Sequence, residues 1–261
     1  MFSYKGKVVA ITGASSGLGK QMAAGFAEAG ADLAVMARRY EKLEQLRDEL
    51  ESRYGIKVLP LKCDVTDPES VKAAADNVGE TFGHCEVIVN DAGGEGGTGT
   101  PFTDFKREDW DYTIGLDLTS VFTVTQTFVN LMKKSMDAGR QSYGRVINIS
   151  SIYGIVGNTA IPTIAYHTTK GGVVNFTRGA AAELASSGIT VNAICPGYFY
   201  TELTTATLDS DYFQQFAHRS VPMQRYGREG ELNSAAVFLG AEESSYVTGQ
   251  ILSVDGGYTC I

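Results

Sequence analysis

Short apolar runs rich in β-branched residues alternate with segments of helical periodicity along the whole chain. Val8–Val9–Ala10–Ile11 is continuously apolar, as expected of a strand buried on both faces of a parallel sheet. Comparable runs recur at 33–36, 58–61, 87–89, 146–149, 190–194 and 251–254, which predicts seven strands. Residues 19–29 read as a helix, and Leu43, Leu46 and Leu50 recur at i, i+3 and i+7 among charged residues. Asp67–Pro68 has the form of a helix start with proline just inside it. Further helices are expected at 109–137, 166–186 and 229–240. Strand–helix alternation of this kind predicts an α/β fold, a doubly wound parallel sheet of seven strands with helices on both faces. The glycine-rich tract at 93–99 is short and follows a strand, so it reads as a loop. With no linker and no internal repeat, residues 1–261 are expected to form a single domain that both binds a dinucleotide and carries the catalytic residues.

Composition narrows the function. Of 261 residues, 43% are hydrophobic and 20% charged, and the formal net charge is -8. An acidic chain is a poor match for nucleic acid or an anionic membrane, both of which reward clustered Lys and Arg. No apolar stretch approaches the roughly 20 residues that cross a bilayer, and no signal peptide fits the short polar start. A cytoplasmic protein is expected. The four cysteines, Cys63, Cys85, Cys195 and Cys260, have neither C-x-x-C spacing nor a partner histidine at metal-ligand spacing, so free thiols and no metal site are expected. His84, His167 and His218 read as surface or loop residues, with His167 on a different helix face from its neighbour Tyr166.

The first strand runs into Thr12-Gly13-Ala14-Ser15-Ser16-Gly17-Leu18-Gly19, and a helix follows. A pyrophosphate can approach backbone only where side chains are absent, and a helix N-terminus offers unpaired N–H groups. Gly13, Gly17 and Gly19 are thus candidates for the tight turn, the close approach and the helix–strand contact. At the tip of the second strand stands Met36-Ala37-Arg38-Arg39, with no acid for ribose hydroxyls. Arginine forks match a phosphate, so Arg38 and Arg39 point to NADP(H) as the cofactor.

Tyr166 and Lys170 lie at i and i+4, on one face of a predicted helix. Asn148-Ile149-Ser150-Ser151 closes the fifth strand, and Cys195-Pro196-Gly197 closes the sixth. Strand C-termini are where a doubly wound sheet binds its ligands. Together with Asp64-Val65, Asn90-Asp91-Ala92-Gly93, Thr201 and Val254-Asp255-Gly256-Gly257, these residues resemble the short-chain dehydrogenase/reductase family, single-domain branch, over essentially the whole chain. The resemblance implies a Rossmann-type sheet and interconversion of a ketone and a secondary alcohol by hydride transfer. It gives Ser151 the substrate oxygen, Tyr166 the proton, and Lys170 the nicotinamide ribose together with a lowering of the Tyr166 pKa. A free phenol titrates near ~10, so acting near neutrality asks for on the order of 4 kcal/mol in favour of phenolate. By the same resemblance Ser15, Ser16, Leu18, Asp64, Val65, Asn90, Ala92, Gly93, Pro196, Gly197, Phe199 and Thr201 line or support the cofactor. A homotetramer built on 109–137, 166–186 and the last strand is also implied.

Two departures from the family pattern stand out. Asp117, in register with Trp110, replaces the asparagine that braces a water-linked proton path to the lysine. It is expected to substitute with activity retained. The stretch between Ser151 and Tyr166 is about two residues longer than usual, and the loop after Gly93 is Gly94-Glu95-Gly96-Gly97-Thr98-Gly99. Both flank the substrate space, where Glu95, Tyr153, Tyr198 and Tyr200 are candidate contacts. The segment 196–203, with Pro222–Gly227, is similar to gluconate 5-dehydrogenases and related sugar-acid or polyol reductases. The aromatic residues equally fit a hydroxysteroid, and a 3-oxoacyl carrier-protein reductase is a further reading. A non-enzymatic NADP-binding sensor is the reading from a different class.

Overall fold

The computed structural model describes residues 2–157, 161–202 and 204–261. Among these, seven parallel strands form one sheet in the order β3-β2-β1-β4-β5-β6-β7. The strands are β1 Val8–Thr12, β2 Asp32–Ala37, β3 Val58–Lys62, β4 Val87–Asn90, β5 Gly144–Ile149, β6 Ile189–Pro196 and β7 Ile251–Val254. Each predicted run became a strand because burial on both faces favours continuous apolar sequence over alternation. β3 tolerates Pro60 because it lies at the sheet edge, where a missing N–H breaks no inner ladder.

Helices α1 (Gly17–Glu28), α2 (Tyr40–Tyr54) and α9 (Asn233–Gly240) cover one face. There Met22, Phe26, Leu43, Leu46, Leu50 and Leu239 pack on Val9, Ile11, Leu33 and Val35. Helices α3 (Pro68–Phe82), α5 (Ser120–Asp137) and α6 (Ile164–Leu184) cover the other. Val71, Val78, Phe128 and Ala181 meet Val8, Ala10, Ile88 and Val146 on that side. The α3 start is capped as its sequence implies. Asp67 takes the Glu69 N–H at 3.0 Å, and Pro68 loses no bond in the first turn.

Three expectations are corrected. The helix foreseen at 109–137 is interrupted: α4 covers Arg107–Ile114, a π-helical turn follows at Gly115–Thr119, and α5 begins at Ser120. A wider turn rotates the residues within it relative to the flanking helix, and Asp117 thereby faces inward. The helix foreseen at 229–240 begins only at Asn233, because Gly230 takes a left-handed φ of 81° and breaks it. Two short helices, α7 (Thr205–Leu208) and α8 (Asp211–Ser220), stand where sequence periodicity gave no element. They enclose a separate cluster of Leu208, Ala217, Val221 and Tyr226. No helix among the described residues is long and apolar enough to cross a membrane.

Candidate active site

The site lies across the C-terminal ends of β1, β2, β4, β5 and β6, closed from one side by α6. After β1, Gly13 adopts φ 73°, and a Cβ there would stand 2.8 Å from the Ala92 backbone nitrogen. Any larger residue would separate the β1 and β4 turns. Thr12 fastens the same two turns, its Oγ1 accepting the N–H groups of Asp91 (3.0 Å) and Ala92 (3.1 Å). Gly19 leaves room beneath α1 for Asp91, whose Oδ2 would lie 2.6 Å from a Cβ at that position. Val65 is buried behind the β3 turn. Asp64 is held ionised well below the usual carboxylate range by the hydroxyl and the N–H of Thr66, with Arg38 adding a smaller lowering.

The two arginines at the tip of β2 divide their roles. Arg39 donates to Ser15 Oγ at 2.9 Å and to Ser16 Oγ at 2.6 Å, so its guanidinium sits on the phosphate-binding turn. Arg38 makes neither of these bonds, and its charge acts on Asp64. The sequence could not make this division, because adjacent exposed residues at a strand tip diverge according to local backbone direction. A glycine cradle open to backbone N–H groups, with two arginines and two hydroxyls beside it, fits a dinucleotide that carries an extra phosphate.

Asn90 is buried below this surface. Its Nδ2 donates to Asn148 Oδ1 (2.8 Å) and Thr125 Oγ1 (2.9 Å), and Asn148 passes the chain to Thr177. Asn90 thus braces β4 against β5, α5 and α6 and does not reach the surface. On the far side Gly197 is tied by its N–H to Val254 O at 2.9 Å. A Cβ on Gly197 would meet Asp255 Cα at 2.8 Å. Phe199 is buried, and its carbonyl accepts the Thr204 hydroxyl at 2.6 Å. Thr201 is bonded to that same hydroxyl.

Ser151, Tyr166 and Lys170 are brought together where β5 meets α6. Gly154 makes this contact close, since a Cβ there would lie 2.5 Å from Lys170 O; Ser150 Oγ donates to the same carbonyl at 2.8 Å. Ser151 and Tyr166 line one cleft of about 200 Å³, with Tyr153, Tyr198, Phe199 and Thr204 around them. A larger cleft of about 380 Å³ is bounded by Met223, Arg225 and Asp255. It contains none of the three, so the smaller cleft is the chemical one. Tyr153 and Tyr198 join hydroxyls at 2.6 Å, and Tyr153 sets its ring edge-on to Tyr166. Tyr200 turns away, its hydroxyl accepting from Gln214. His167, expected at the surface, is half-buried and stacks on Tyr153 at 4.5 Å. His84 is also partly buried, paired with Glu86 at 2.9 Å. Asn158, Thr159 and Ala160 of the longer Ser151–Tyr166 stretch lie outside the described residues, as does Leu203.

The electrostatics of the pair hold the main departure from expectation. Lys170 Nζ reaches Ile149 O at 3.2 Å and lies 3.3 Å from Asp117 Oδ2. Asp117 pairs with the lysine directly. Burial disfavours the ammonium, but Asp117 and Tyr166 outweigh it, and the Lys170 pKa rises. Burial also pushes the Tyr166 phenol up. Lys170 and Ser151 act in the lowering direction, whereas Asp117 and Glu95 reinforce the rise. The lowering implied for Lys170 is therefore present but overmatched. Glu95 is absent from the cleft lining, and its charge acts on Asp117 and Tyr166.

A family model described as Enoyl-(Acyl carrier protein) reductase matches residues 13–259. The chain is 37% identical over 253 residues to a 3-oxoacyl-(acyl-carrier-protein) reductase FabG of Thermotoga maritima, covering 97% of this chain and 98% of that protein. It is 35% identical over 260 residues to a gluconate 5-dehydrogenase of Gluconobacter oxydans, covering 99% and 97%. A gluconate 5-dehydrogenase from Burkholderia cenocepacia, solved in complex with NADP and tartrate, superposes with a TM-score of 0.90 at 33% identity, covering 100% and 98%.

Proposed function

Because the chain belongs to the short-chain dehydrogenase/reductase family, we propose that it is an NADP(H)-dependent oxidoreductase interconverting a ketone and a secondary alcohol. The observation that carries this is one cleft holding Ser151 and Tyr166 beside Lys170, next to a glycine cradle flanked by Arg38 and Arg39. NADP(H) supplies or accepts the hydride when bound. Gly13, Ser15, Ser16, Gly17, Leu18 and Gly19 would hold its phosphates. Arg39 and Arg38 would take the additional phosphate, and Asp64, Val65, Ala92, Gly93, Pro196, Gly197, Phe199 and Thr201 the remainder of the binding surface. Ser151 orients the substrate oxygen, and Tyr166 gives or takes its proton. Lys170, its ammonium held by the 3.2 Å bond to Ile149 O and 5.3 Å from the Tyr166 ring centroid, would favour the phenolate by its charge.

A polyol or sugar-derived ketone is the substrate class we favour, given the gluconate 5-dehydrogenase relatives and the paired hydroxyls of Tyr153 and Tyr198. No cation among the described residues lines the cleft to meet a carboxylate, so the hydroxylated part of such a substrate would be recognised there. One domain over residues 1–261 would perform both tasks, as a cytoplasmic homotetramer. Phe122 (49% exposed) packs edge-on against Phe176, which gives α5 and α6 an apolar outer face suited to a second copy. The test is NADPH oxidation against ketoses, keto-acids and apolar ketones, with sedimentation for assembly. NADPH binding without turnover of any class, unchanged by Tyr166→Phe, would favour a sensor.

A further inference from the structure

Four contacts converge on Tyr153, which lines the cleft together with Ser151 and Tyr166. Its N–H donates to Ser151 Oγ at 3.1 Å, from a single 3-10 turn at Ile152–Gly154. Its ring stands edge-on to Tyr166, with centroids 6.1 Å apart and planes at 86°. Its hydroxyl bonds that of Tyr198 at 2.6 Å. Its face is covered by His167, with centroids 4.5 Å apart and planes only 9° from parallel. The first three partners are residues of the cleft itself. His167 is not among the lining residues, so it touches the cleft only through Tyr153.

His167 is itself firmly held. Its Nδ1 lies 2.8 Å from Thr163 O and 3.0 Å from Thr163 Oγ1, and Thr163 is buried at the start of α6. A carbonyl oxygen can only accept, so Nδ1 carries the hydrogen. The other ring nitrogen, Nε2, is buried and has no hydrogen-bond partner among the described residues. A buried nitrogen left unbonded asks for a reason to keep an imidazole there. The flat face laid against Tyr153 supplies one.

We propose that His167 is a positioning residue that sets the size of substrate the cleft admits, by holding the Tyr153 ring in place. This rests on the oxidoreductase reading above. At about 200 Å³ the cleft is smaller than the roughly 300–1,000 Å³ of pockets for drug-sized ligands. Tyr198 and Phe199 line the larger neighbouring cleft as well, so they form the wall between the two. Tyr198 is packed by Phe213, Phe216, Tyr226 and Tyr258, and its hydroxyl ties it to Tyr153. The Tyr153 ring, by contrast, takes its face-to-face contact from His167. Without that contact the ring can swing, the link to Tyr198 is lost, and the space widens toward the larger cleft. With it, a ketone the size of an open-chain sugar is admitted and a fused-ring ketone is kept out.

His167 acts through Tyr153, so the test reads selectivity. The probes are D-fructose and 1-decalone. In His167→Ala, kcat/KM for 1-decalone relative to D-fructose should rise about tenfold, the worth of one aromatic pair, with most of the change in KM. NADPH affinity should stay within about twofold, since no cofactor contact is altered. His167→Phe keeps a flat ring and loses nothing at Nε2, so it should keep the wild-type ratio. His167→Leu keeps bulk without a flat face and should shift the ratio as His167→Ala does; it also serves if the alanine variant does not fold. In a Tyr153→Ala background, His167→Ala should change the ratio by less than about twofold. A wild-type ratio in either folded variant, His167→Ala or His167→Leu, would overturn the proposal. A second arm needs no turnover: calorimetry should show 1-decalone binding the NADPH-loaded His167→Ala protein about tenfold more tightly than wild type. Equal affinity overturns the role of His167 whatever the kinetics. A wild type inactive on every ketone would sink the oxidoreductase reading, while calorimetry still decides position 167.

Discussion

Lys170 Nζ and Asp117 Oδ2 stand 3.3 Å apart, with the two side chains 7% and 0% exposed. An ion pair this enclosed is stable only while both partners remain, since either charge alone would be stranded in a poorly solvated site. Asp117→Ala should therefore destabilise the fold by about 3–5 kcal/mol. Adding Lys170→Met should recover part of the loss. Urea unfolding of the two single variants and the double variant measures this coupling, and strict additivity would show that the pair contributes nothing.

Tyr166→Phe should lower kcat by a factor of roughly 10² to 10⁴, the range of a single positioned proton donor. NADPH affinity should stay within a few-fold, because the phenol's ring and its packing on Tyr153 are kept. Steady-state kinetics beside fluorescence titration of NADPH separates the two.

Arg39→Ala should weaken kcat/KM for NADPH about tenfold to a hundredfold, the worth of a charge-assisted bond, and leave NADH nearly unchanged. Arg38→Ala should act in the same direction. Equal use of NADPH and NADH by the wild type would remove the basis for both expectations.

Asp91 is pushed up to about 7 by burial, with Lys170 and the Gly19 N–H opposing. A carboxyl whose folded pKa is raised favours the folded state while protonated. That stability is present below the ordinary carboxylate value and is lost as pH rises toward 7. Asp91→Asn should therefore match wild type near pH 4 and exceed its Tm at pH 8. About 2–4 °C per kcal/mol is the expected scale for a chain of this size. A Tm difference that does not widen between pH 4 and 7 would contradict this.

Gly13→Ala should both destabilise the protein and weaken NADPH binding. The added Cβ meets Ala92 N at 2.8 Å and φ is 73°, so the β1 and β4 turns must part. Binding loss without any fall in Tm would mean that the turn relaxes around the methyl group.

Much of this molecule is written locally. Continuous apolar runs such as Val8–Ile11 become inner strands because burial on two faces leaves no room for alternation. Gly13 marks the phosphate turn because no other residue fits so close to Ala92. The spacing of Tyr166 and Lys170 fixes one helix face for both. What tertiary structure decided is how those pieces meet. The sequence shows an aspartate at 117 but not that a π-helical turn aims it at Lys170, since that turn depends on what α4, α5 and α6 pack against. Which of Arg38 and Arg39 lies on Ser15, and that Glu95 stays out of the cleft lining, likewise follow from loops pinned by contacts far apart in sequence. Charge balance at Tyr166 is decided there too. A pKa is set by all groups within a few ångströms, and only folding brings Asp117 and Glu95 to the phenol and turns it upward.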